Sequence, residues 1–144
     1  MNAQEMWTKF AEQTGISHEY EAWPFGDDPD TLANLVLKGI KTGTASGYPF
    51  YILEGEPLPK EGGYNVILDS QGNAVCITRT TKVYVTPFRS VTSDHAWKEG
   101  EGNRSLDYWR KVHESFFIKE MESIGQTFDW NMVVVCEEFI KVYP

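Results

Sequence analysis

The sequence has 144 residues, of which 41% are hydrophobic and 14% aromatic, and its 21 acidic and 13 basic side chains give a net charge of −8. This length and apolar content predict one globular domain, residues 1–144, that buries a core without disulfides or a structural metal. The acidic balance argues against a general nucleic-acid backbone binder, because neutralising phosphates requires a basic surface.

Two helices are predicted in the first third of the chain. The first covers roughly fourteen residues and ends at Gly15. Its apolar side chains share one face: Met6, Trp7, Phe10 and Ala11. The second runs from about Asp30 to Lys38, because an Asp-Pro pair supplies a cap and a first-turn proline, and Gly39 is a common helix end.

The middle and the end of the chain have strand-type composition. β-Branched and aromatic residues fill the runs YNVILDS, NAVCITRTTKVYVTPF and NMVVVCEEFIKVY, and Gln71-Gly72 separates the first two as a hairpin turn. A flexible acidic loop and a long helix from near Ser105 precede the third run. The order lacks alternating βα units, so the predicted fold class is α+β: a small antiparallel β-barrel flanked by helices.

The sequence carries no membrane or export signal. No window approaches the roughly 18 uninterrupted apolar residues of a membrane helix, and no basic segment followed by an apolar block opens the chain. We therefore expect a cytoplasmic protein without membrane contact. Cys76 and Cys136 lie in separate apolar runs without ligand spacing, which predicts buried free thiols and neither a metal nor another cofactor.

The stretch LVLKGIKTGTASGYPFY, residues 35–51, places one lysine between a helix end and a group of small hydroxylated residues. Lys41, just past a helix C-terminus, is typical of a solvated cation that stabilises the helix dipole. Thr44 follows three residues later, so a reactive lysine–hydroxyl pair is the alternative. Both interpretations are physically ordinary.

Residues 39–44, GIKTGT, fit the GxKxxT signature of the ASCH family. Five further blocks resemble the longer bacterial ASCH proteins in the same order: AWPFGDDPD, PLPKEGGYNVILD, AVCITRTTKVYVTPF, HAWKEGEGNRSLDYWRKVHESFF and VVVCEEF. The resemblance covers nearly the whole chain and implies a PUA-like barrel, a relative of RNA-binding domains. It also implies RNA or a modified nucleoside as the partner. The activity could be RNA binding without catalysis, ribonuclease action, or removal of the acyl group from an N4-acylcytidine.

The amidohydrolase branch of this family uses a lysine, a threonine and a glutamate. By motif, Lys41 and Thr44 match the first two, and Glu99 matches the acid because it follows a similar His-Ala-led stretch. The EGEG sequence makes Glu101 a competitor for Glu99, and either could be a loop acid before the positive end of the long helix. Ser46 stands where many members carry Arg or Ser, so an arginine able to hold a phosphate or a carbonyl is missing.

Substrate-binding candidates surround this set. Ser46 and Arg104 could hold phosphate, although Arg104 could instead pair with the neighbouring acids. Trp23 and Phe25 occupy a segment with Pro and Gly, which predicts an irregular loop where an aromatic could stack on a nucleobase, with packing as the simpler interpretation. Trp109 and His113 lie on the apolar stripe of the long helix and are predicted to pack there.

Amide hydrolysis needs a nucleophile, a proton acceptor and stabilisation of the oxyanion. Thr44 could attack with Lys41 as its base. Alternatively, Lys41 could stay protonated and polarise the substrate carbonyl while Glu99 activates Thr44 or water. The sequence therefore predicts either an enzyme with this set or a non-catalytic RNA-binding module.

Overall fold

The computed structural model describes residues 1–144 and contains five α-helices, five strands and one short 3-10 helix. The helices are α1 (Ala3–Thr14), α2 (Pro29–Leu37), α3 (Tyr48–Glu54), α4 (Ser93–Glu99) and α5 (Leu106–Ser123). The strands are β1 (Tyr20–Pro24), β2 (Gly43–Gly47), β3 (Tyr64–Leu68), β4 (Ala74–Pro87) and β5 (Val133–Tyr143). The predicted α+β class is confirmed.

The five strands form one curled, half-barrel sheet in the order β1-β3-β4-β5-β2. Three of its four strand pairs are antiparallel, and β1 pairs with β3 in parallel. The connection between β1 and β3 passes through α2, β2 and α3, which is the long crossover that parallel pairing requires. The sheet is therefore mixed.

The predicted end of α1 at Gly15 and the predicted Asp28 cap of α2 are present, and Asn2 forms an N-cap that was not predicted. Asn2 caps α1 in a reciprocal capping box with Glu5, and Gly15 ends this helix in the left-handed region. Asp28 caps α2 by accepting from the amide of Thr31. These local signals explain why the chain turns where it does on both sides of α2.

Three segments differ from the prediction. Trp23 lies in β1 rather than in a loop, and the proline after it is tolerated because it is the last residue of an edge strand. The short helix α3 follows Gly47 with a proline in its first turn. The stretch predicted as a flexible acidic loop contains α4, which is held by an N-cap threonine and a C-terminal glycine.

Alternate strand residues face different helices. Val66 packs with α1 on one side of the sheet, and Ile67 packs with α2 on the other. We call the second side the α2 face; it also carries Cys76 and Phe139. Cys136 packs with the cluster around α5, and both cysteines are buried free thiols, as predicted. None of the helices is long and apolar enough to cross a lipid bilayer.

Candidate active site

Lys41 lies in the short connection between α2 and β2. Gly39 has a φ of 78°, and after it the amides of Ile40 and Lys41 both donate to the carbonyl of Leu35, at 2.9 and 3.1 Å. The chain folds back over the end of α2, and Lys41 is only 2% exposed. Lys41 is therefore not the solvated helix-end cation that one interpretation expected.

The ammonium of Lys41 lies between two carboxylates. Its Nζ is 3.2 Å from Oε1 of Glu99 and 3.1 Å from Oε2 of Glu101. It also lies 3.5 Å from the backbone carbonyl oxygen of Glu99 and 5.2 Å from the ring centre of Phe25. Each of these groups stabilises positive charge, so the site holds a protonated ammonium.

Glu99 is the last residue of α4, which fixes its direction. The Thr92 hydroxyl caps this helix by accepting from the amide of His95 at 3.1 Å. Gly100 then adopts a φ of 73°, where a Cβ would lie 2.6 Å from the carbonyl oxygen of Ile40. Only glycine fits this conformation and this approach, so the end of α4 packs directly against the segment that carries Lys41.

The carboxylate of Glu99 faces four donors. Oε1 contacts Lys41 at 3.2 Å and Nε2 of His113 at 3.4 Å, and Oε2 contacts Nε2 of His95 at 2.7 Å and Nε1 of Trp109 at 2.6 Å. Burial alone would raise the pKa of Glu99, but the charge of Lys41 and the contacts with His113 and His95 hold this pKa well below its usual range. Glu99 is therefore an anion at neutral pH, and its oxygens are already engaged.

The two histidines were not predicted as site residues. Burial lowers the pKa of His95, but its contacts with Cys136 and Glu99 outweigh burial and raise this pKa to about 10. Burial likewise opposes charge on His113, and the nearby Glu99 carboxylate raises its pKa above the usual value. His113 stacks on Trp109 at 4.2 Å between ring centres and packs on the apolar stripe as predicted, while its polar edge faces Glu99.

A sequence signal for these partners exists in the helical spacing. His95 and Glu99 are four residues apart on α4, and Trp109 and His113 are four apart on α5. Residues at this spacing share a helix face. The spacing identifies each pair, and the packing of α4 against α5 brings them to one carboxylate.

Glu101 differs from Glu99 in exposure. Its side chain is 16% exposed and meets Lys41 at 3.1 Å. Gly102 beside it has a φ of 57°, and a Cβ there would lie 2.4 Å from the Tyr108 ring. The EGEG loop thus needs its glycines to turn one carboxylate inward and to leave the second at the edge of the site.

A recess of about 70 Å³ opens in front of these groups. Polar side chains that line it are Asp27, Lys41, Thr44, Glu99, Glu101 and His113. Its apolar walls come from Phe25 and the α2 side, and from Val112 and Phe116 of α5. Lys41 and Glu99 are 58 residues apart in the chain, so the fold assembles this recess from distant segments.

Thr44 and Ser46 lie on β2 with different surroundings. Thr44 lines the recess and pairs across the sheet with Glu137 of β5. Ser46 pairs with Val135, two residues from Glu137 along β5, and its hydroxyl lies 2.8 Å from that of Tyr51. Thr44 is therefore within the candidate site, and Ser46 lies one step away from it.

The remaining candidates have structural contacts of their own. Phe25 is buried and forms a wall of the recess, while Trp23 donates its indole N–H to Asn65 at 3.0 Å. Arg104 lies 3.8 Å above the Trp97 ring and donates to the carbonyls of Trp97 and Ile40, at 2.9 and 3.3 Å. Arg104 thus joins α4 to the segment carrying Lys41 and does not pair with the neighbouring acids.

One group of side chains has the composition of a metal site. Ligand atoms of Glu99, Glu101 and His113 lie within 4.8 Å of one another. The Lys41 ammonium contacts both carboxylates, so their negative charges are already balanced by a cation of the protein itself. A divalent ion would have to displace Lys41, and the donor set does not favour a metal.

Residues 21–143 match the model of the ASCH domain. The fold is similar to a crystal structure of an ASCH domain from Lactobacillus crispatus, with a TM-score of 0.91, 29% sequence identity, and coverage of 98% of this chain and 94% of that one. A protein from Enterococcus faecalis is 35% identical, with a TM-score of 0.91 and coverage of 99% of this chain and 88% of that one. No protein of curated function matches the chain.

A more distant structure, of a hypothetical protein, is 16% identical with a TM-score of 0.57, and it covers 87% of this chain and 100% of that one. This likeness concerns the fold alone. Residues 21–143, which match the ASCH domain model, contain Lys41, Thr44, Glu99 and Glu101 and so include the whole recess.

Proposed function

The chain belongs to the ASCH domain family, and from this premise we propose that it is an amidohydrolase that removes a small acyl group from a modified nucleoside such as N4-acylcytidine. One observation supports this most. Lys41 and Thr44 share a single recess with the Glu99 carboxylate, which lies 58 residues from Lys41 in the chain.

Lys41 serves as the electrophilic group. A protonated ammonium held by two carboxylates is a poor base, but it is well placed to stabilise an oxyanion. Its 2% exposure means that the charge acts in a medium of low dielectric, where its interactions are stronger than in water. Of the two roles considered for Lys41, polarisation of the carbonyl fits better than proton abstraction.

Thr44 is the nucleophile, and Glu101 is the better candidate for its base. Glu99 was the first choice for the acid from the sequence, but four donors occupy its oxygens and its pKa is depressed. Glu101 keeps a partly exposed carboxylate at the edge of the recess. We assign Glu99 a positioning role, since it orients Lys41.

The size of the recess favours a small acyl group. A volume of about 70 Å³ corresponds to roughly two water molecules at their ~30 Å³ share of liquid volume. A group of a few heavy atoms such as acetyl fits this space, and the nucleoside itself would remain outside. The net charge of −8 likewise favours a nucleoside over a polyanionic RNA.

Release of cytidine from N4-acetylcytidine, followed by chromatography, tests the assignment. We expect Lys41→Met and Thr44→Ala each to lower kcat by about 10²–10³ or more, while Thr44→Ser keeps part of the rate because it retains a hydroxyl. Lys98→Met is the matched control, since Lys98 is a partly exposed lysine that pairs with Asp94 and Glu138. Unchanged turnover in Lys41→Met would end the proposal.

A non-catalytic RNA-binding module is the second candidate, favoured by one surface feature. Trp97 is 56% exposed and carries Arg104 stacked on its ring, an arrangement on which a base could stack. This alternative predicts RNA affinity that weakens with salt and that Thr44→Ala leaves unchanged. A ribonuclease would use Lys41 to stabilise a phosphorane, and cleavage of short RNAs by the wild type but not by Lys41→Met would identify it.

A further inference from the structure

Glu137 lies directly opposite Thr44, on the neighbouring strand. In the antiparallel pair of β2 and β5 these two residues are register partners. Residues in this relation project from the same face with Cβ atoms about 4.5–5.5 Å apart. Glu137 is 6% exposed, so a second buried carboxyl group stands beside the candidate nucleophile on the α2 face.

A chain of hydrogen bonds ends at this carboxyl group. Trp23 donates to Asn65 at 3.0 Å, Asn65 donates to the Thr80 hydroxyl at 3.2 Å, and Thr80 donates to Oε2 of Glu137 at 2.6 Å. Every donor points toward Glu137, and such chains polarise one another. This chain of hydrogen bonds fixes Oε2 of the Glu137 carboxyl group and does not include Oε1.

The groups around Glu137 raise its pKa above the usual value of a glutamate. Its titratable neighbours are Glu21 from β1 and Tyr51 from α3, while β4 and β2 present hydroxyl groups. No basic side chain is among the groups that act on it. Burial raises the pKa of Glu137 and Glu21 raises it further, against the smaller opposing effect of the Thr80 hydrogen bond. The carboxyl group therefore keeps its proton to higher pH than an ordinary glutamate.

Space for a departing group lies beside it. Tyr51, which is close enough to Glu137 to sense its charge, lines an open groove of about 370 Å³ together with Tyr48, Ile52, Pro57 and Leu58. This volume is in the range of small-molecule sites. Glu137 is thus linked to each cavity through one neighbour: Thr44, its register partner, lines the recess, and Tyr51 lines the groove.

We propose that Glu137 is a catalytic residue, the acid that donates a proton to the nitrogen leaving the acyl group. The inference rests on the proposed function and adds a fourth group to it. The substrate class it implies is an amide of a heteroaromatic amine, whose nitrogen must be protonated as the C–N bond breaks.

The reaction balances with these groups. The Thr44 oxygen bonds to the acyl carbon and gives its proton to Glu101, and Lys41 faces the oxyanion. The C–N bond then breaks, and the nitrogen takes the proton of Glu137. Water next attacks the acyl-threonine ester and gives its proton to the Glu137 carboxylate, while Glu101 returns a proton to the Thr44 oxygen. The products are a carboxylic acid and the free amine.

Two substrates that differ in their leaving group test this role. N4-acetylcytidine needs a proton on its leaving nitrogen, whereas p-nitrophenyl acetate releases a stable phenolate without one. We expect Glu137→Gln to lower kcat on the amide by about 10²–10⁴. On the ester, it should change the rate of the p-nitrophenolate burst, which reports formation of the acyl-threonine alone, by less than about twofold. Glu138→Gln is the matched control, since Glu138 is the adjacent residue and pairs with Lys98 on the other face of the strand.

The pH profile gives a readout that a structural role would not change. For the wild type, kcat/KM on the amide falls at alkaline pH as Glu137 loses its proton, and this fall is absent in Glu137→Gln. Glu137→Asp retains an acid, so its kcat/KM on the amide should be lower than that of wild type but should still fall at alkaline pH. This variant replaces Glu137→Gln in the test if the glutamine variant does not fold.

The outcomes separate the two proposals. Equal losses on both substrates, or no loss on the amide, would overturn the role of Glu137 and leave the amidohydrolase assignment intact. A wild type that leaves the amide uncleaved would overturn the amidohydrolase assignment and the role of Glu137 together.

Discussion

Glu99 and Glu137 are both buried glutamates on elements that contact β2, and their surroundings shift their pKa values in opposite directions. Glu99 faces Lys41, two histidines and an indole N–H, and its pKa is held well below the usual range. Glu137 faces hydroxyl groups and other acids, and its pKa is raised because burial dominates. Burial alone does not decide the charge of a carboxyl group, since the partners do.

The two acids also contribute differently to the fold. A buried ion cluster recovers its desolvation cost only if every member keeps its partners. A neutral carboxyl group costs far less to bury and can be replaced by an amide of the same shape. The ion cluster around Glu99 thus holds Lys41 in a fixed position, whereas Glu137 is free to exchange a proton.

Glu99→Gln should break the first half of this comparison and have the largest effect on stability. A carboxamide has one oxygen for four donors, so its NH₂ group would face two of them without an acceptor. We expect the free energy of unfolding at pH 7 to fall by about 3–5 kcal/mol. Asp94→Asn, whose side chain is 74% exposed in its pair with Lys98, is the control and should lose about 1 kcal/mol or less. Equal losses in chemical denaturation would contradict the ranking.

The difference in the free energy of unfolding between wild type and Glu99→Gln depends on pH in a defined direction. The pKa of Glu99 is lowered in the folded state, so its contribution is present above the unfolded value of ~4.3 and is lost as pH falls toward the folded value. The pKa values of His95 and His113 are raised, so their contributions are complete below ~6.5 and decline as pH rises. Wild type and Glu99→Gln should differ most between about pH 4.5 and 6.5.

Glu137→Gln tests the second acid of the comparison. Its stability relative to wild type should change with pH in the opposite direction to that of Glu99→Gln. Because the folded pKa of Glu137 is raised, its contribution is complete below the unfolded value of ~4.3 and is lost as pH rises through the folded value. We expect the variant to lie within about 1 kcal/mol of wild type at pH 5 and to be more stable than wild type at pH 8. Thermal melts at the two pH values measure this, and a variant less stable at pH 8 than at pH 5, relative to wild type, would contradict a neutral Glu137.

Local signals predicted part of this arrangement. The Asp28 cap and Gly39 identified α2 and placed Lys41 just after it, and the helical stripe predicted burial of Trp109 and His113. Burial of these two side chains was therefore foreseen, but not the use of their polar atoms. Their nitrogens meet Glu99 only because α4 packs against α5, which is a tertiary contact without a periodic signal.

The strand residues show a second limit. The run VVVCEEF was predicted to be a buried strand, and period-two alternation places one of its two glutamates on each face. Which one faces inward depends on register, and β4 shifts its pairing with β5 between Thr80 and Lys82. Only the assembled sheet reveals that Glu137 faces Thr44 and that Thr80 donates to it.

Trp23→Phe should have the smallest effect of these substitutions, because it removes only the first donor of the hydrogen-bond chain that ends at Glu137. Phenylalanine keeps the edge-on packing against Phe25, whose ring centre is 5.0 Å from that of Trp23. We expect a loss of about 1 kcal/mol in the free energy of unfolding, measured by denaturation. Trp130→Phe removes the indole N–H that the exposed Trp130 donates to Glu114; it is the control and should lose less.

A double-mutant cycle tests whether that donor acts through the chain. If the bonds through Asn65 and Thr80 polarise one another, Trp23→Phe should cost less when Glu137→Gln is already present, with a coupling of about 0.5 kcal/mol or more. Additive losses would mean that Trp23 stabilises only its own strand. In that case the orientation of Glu137 would depend on Thr80 alone, and Thr80→Val should then raise the alkaline limit of amide hydrolysis without any contribution from Trp23.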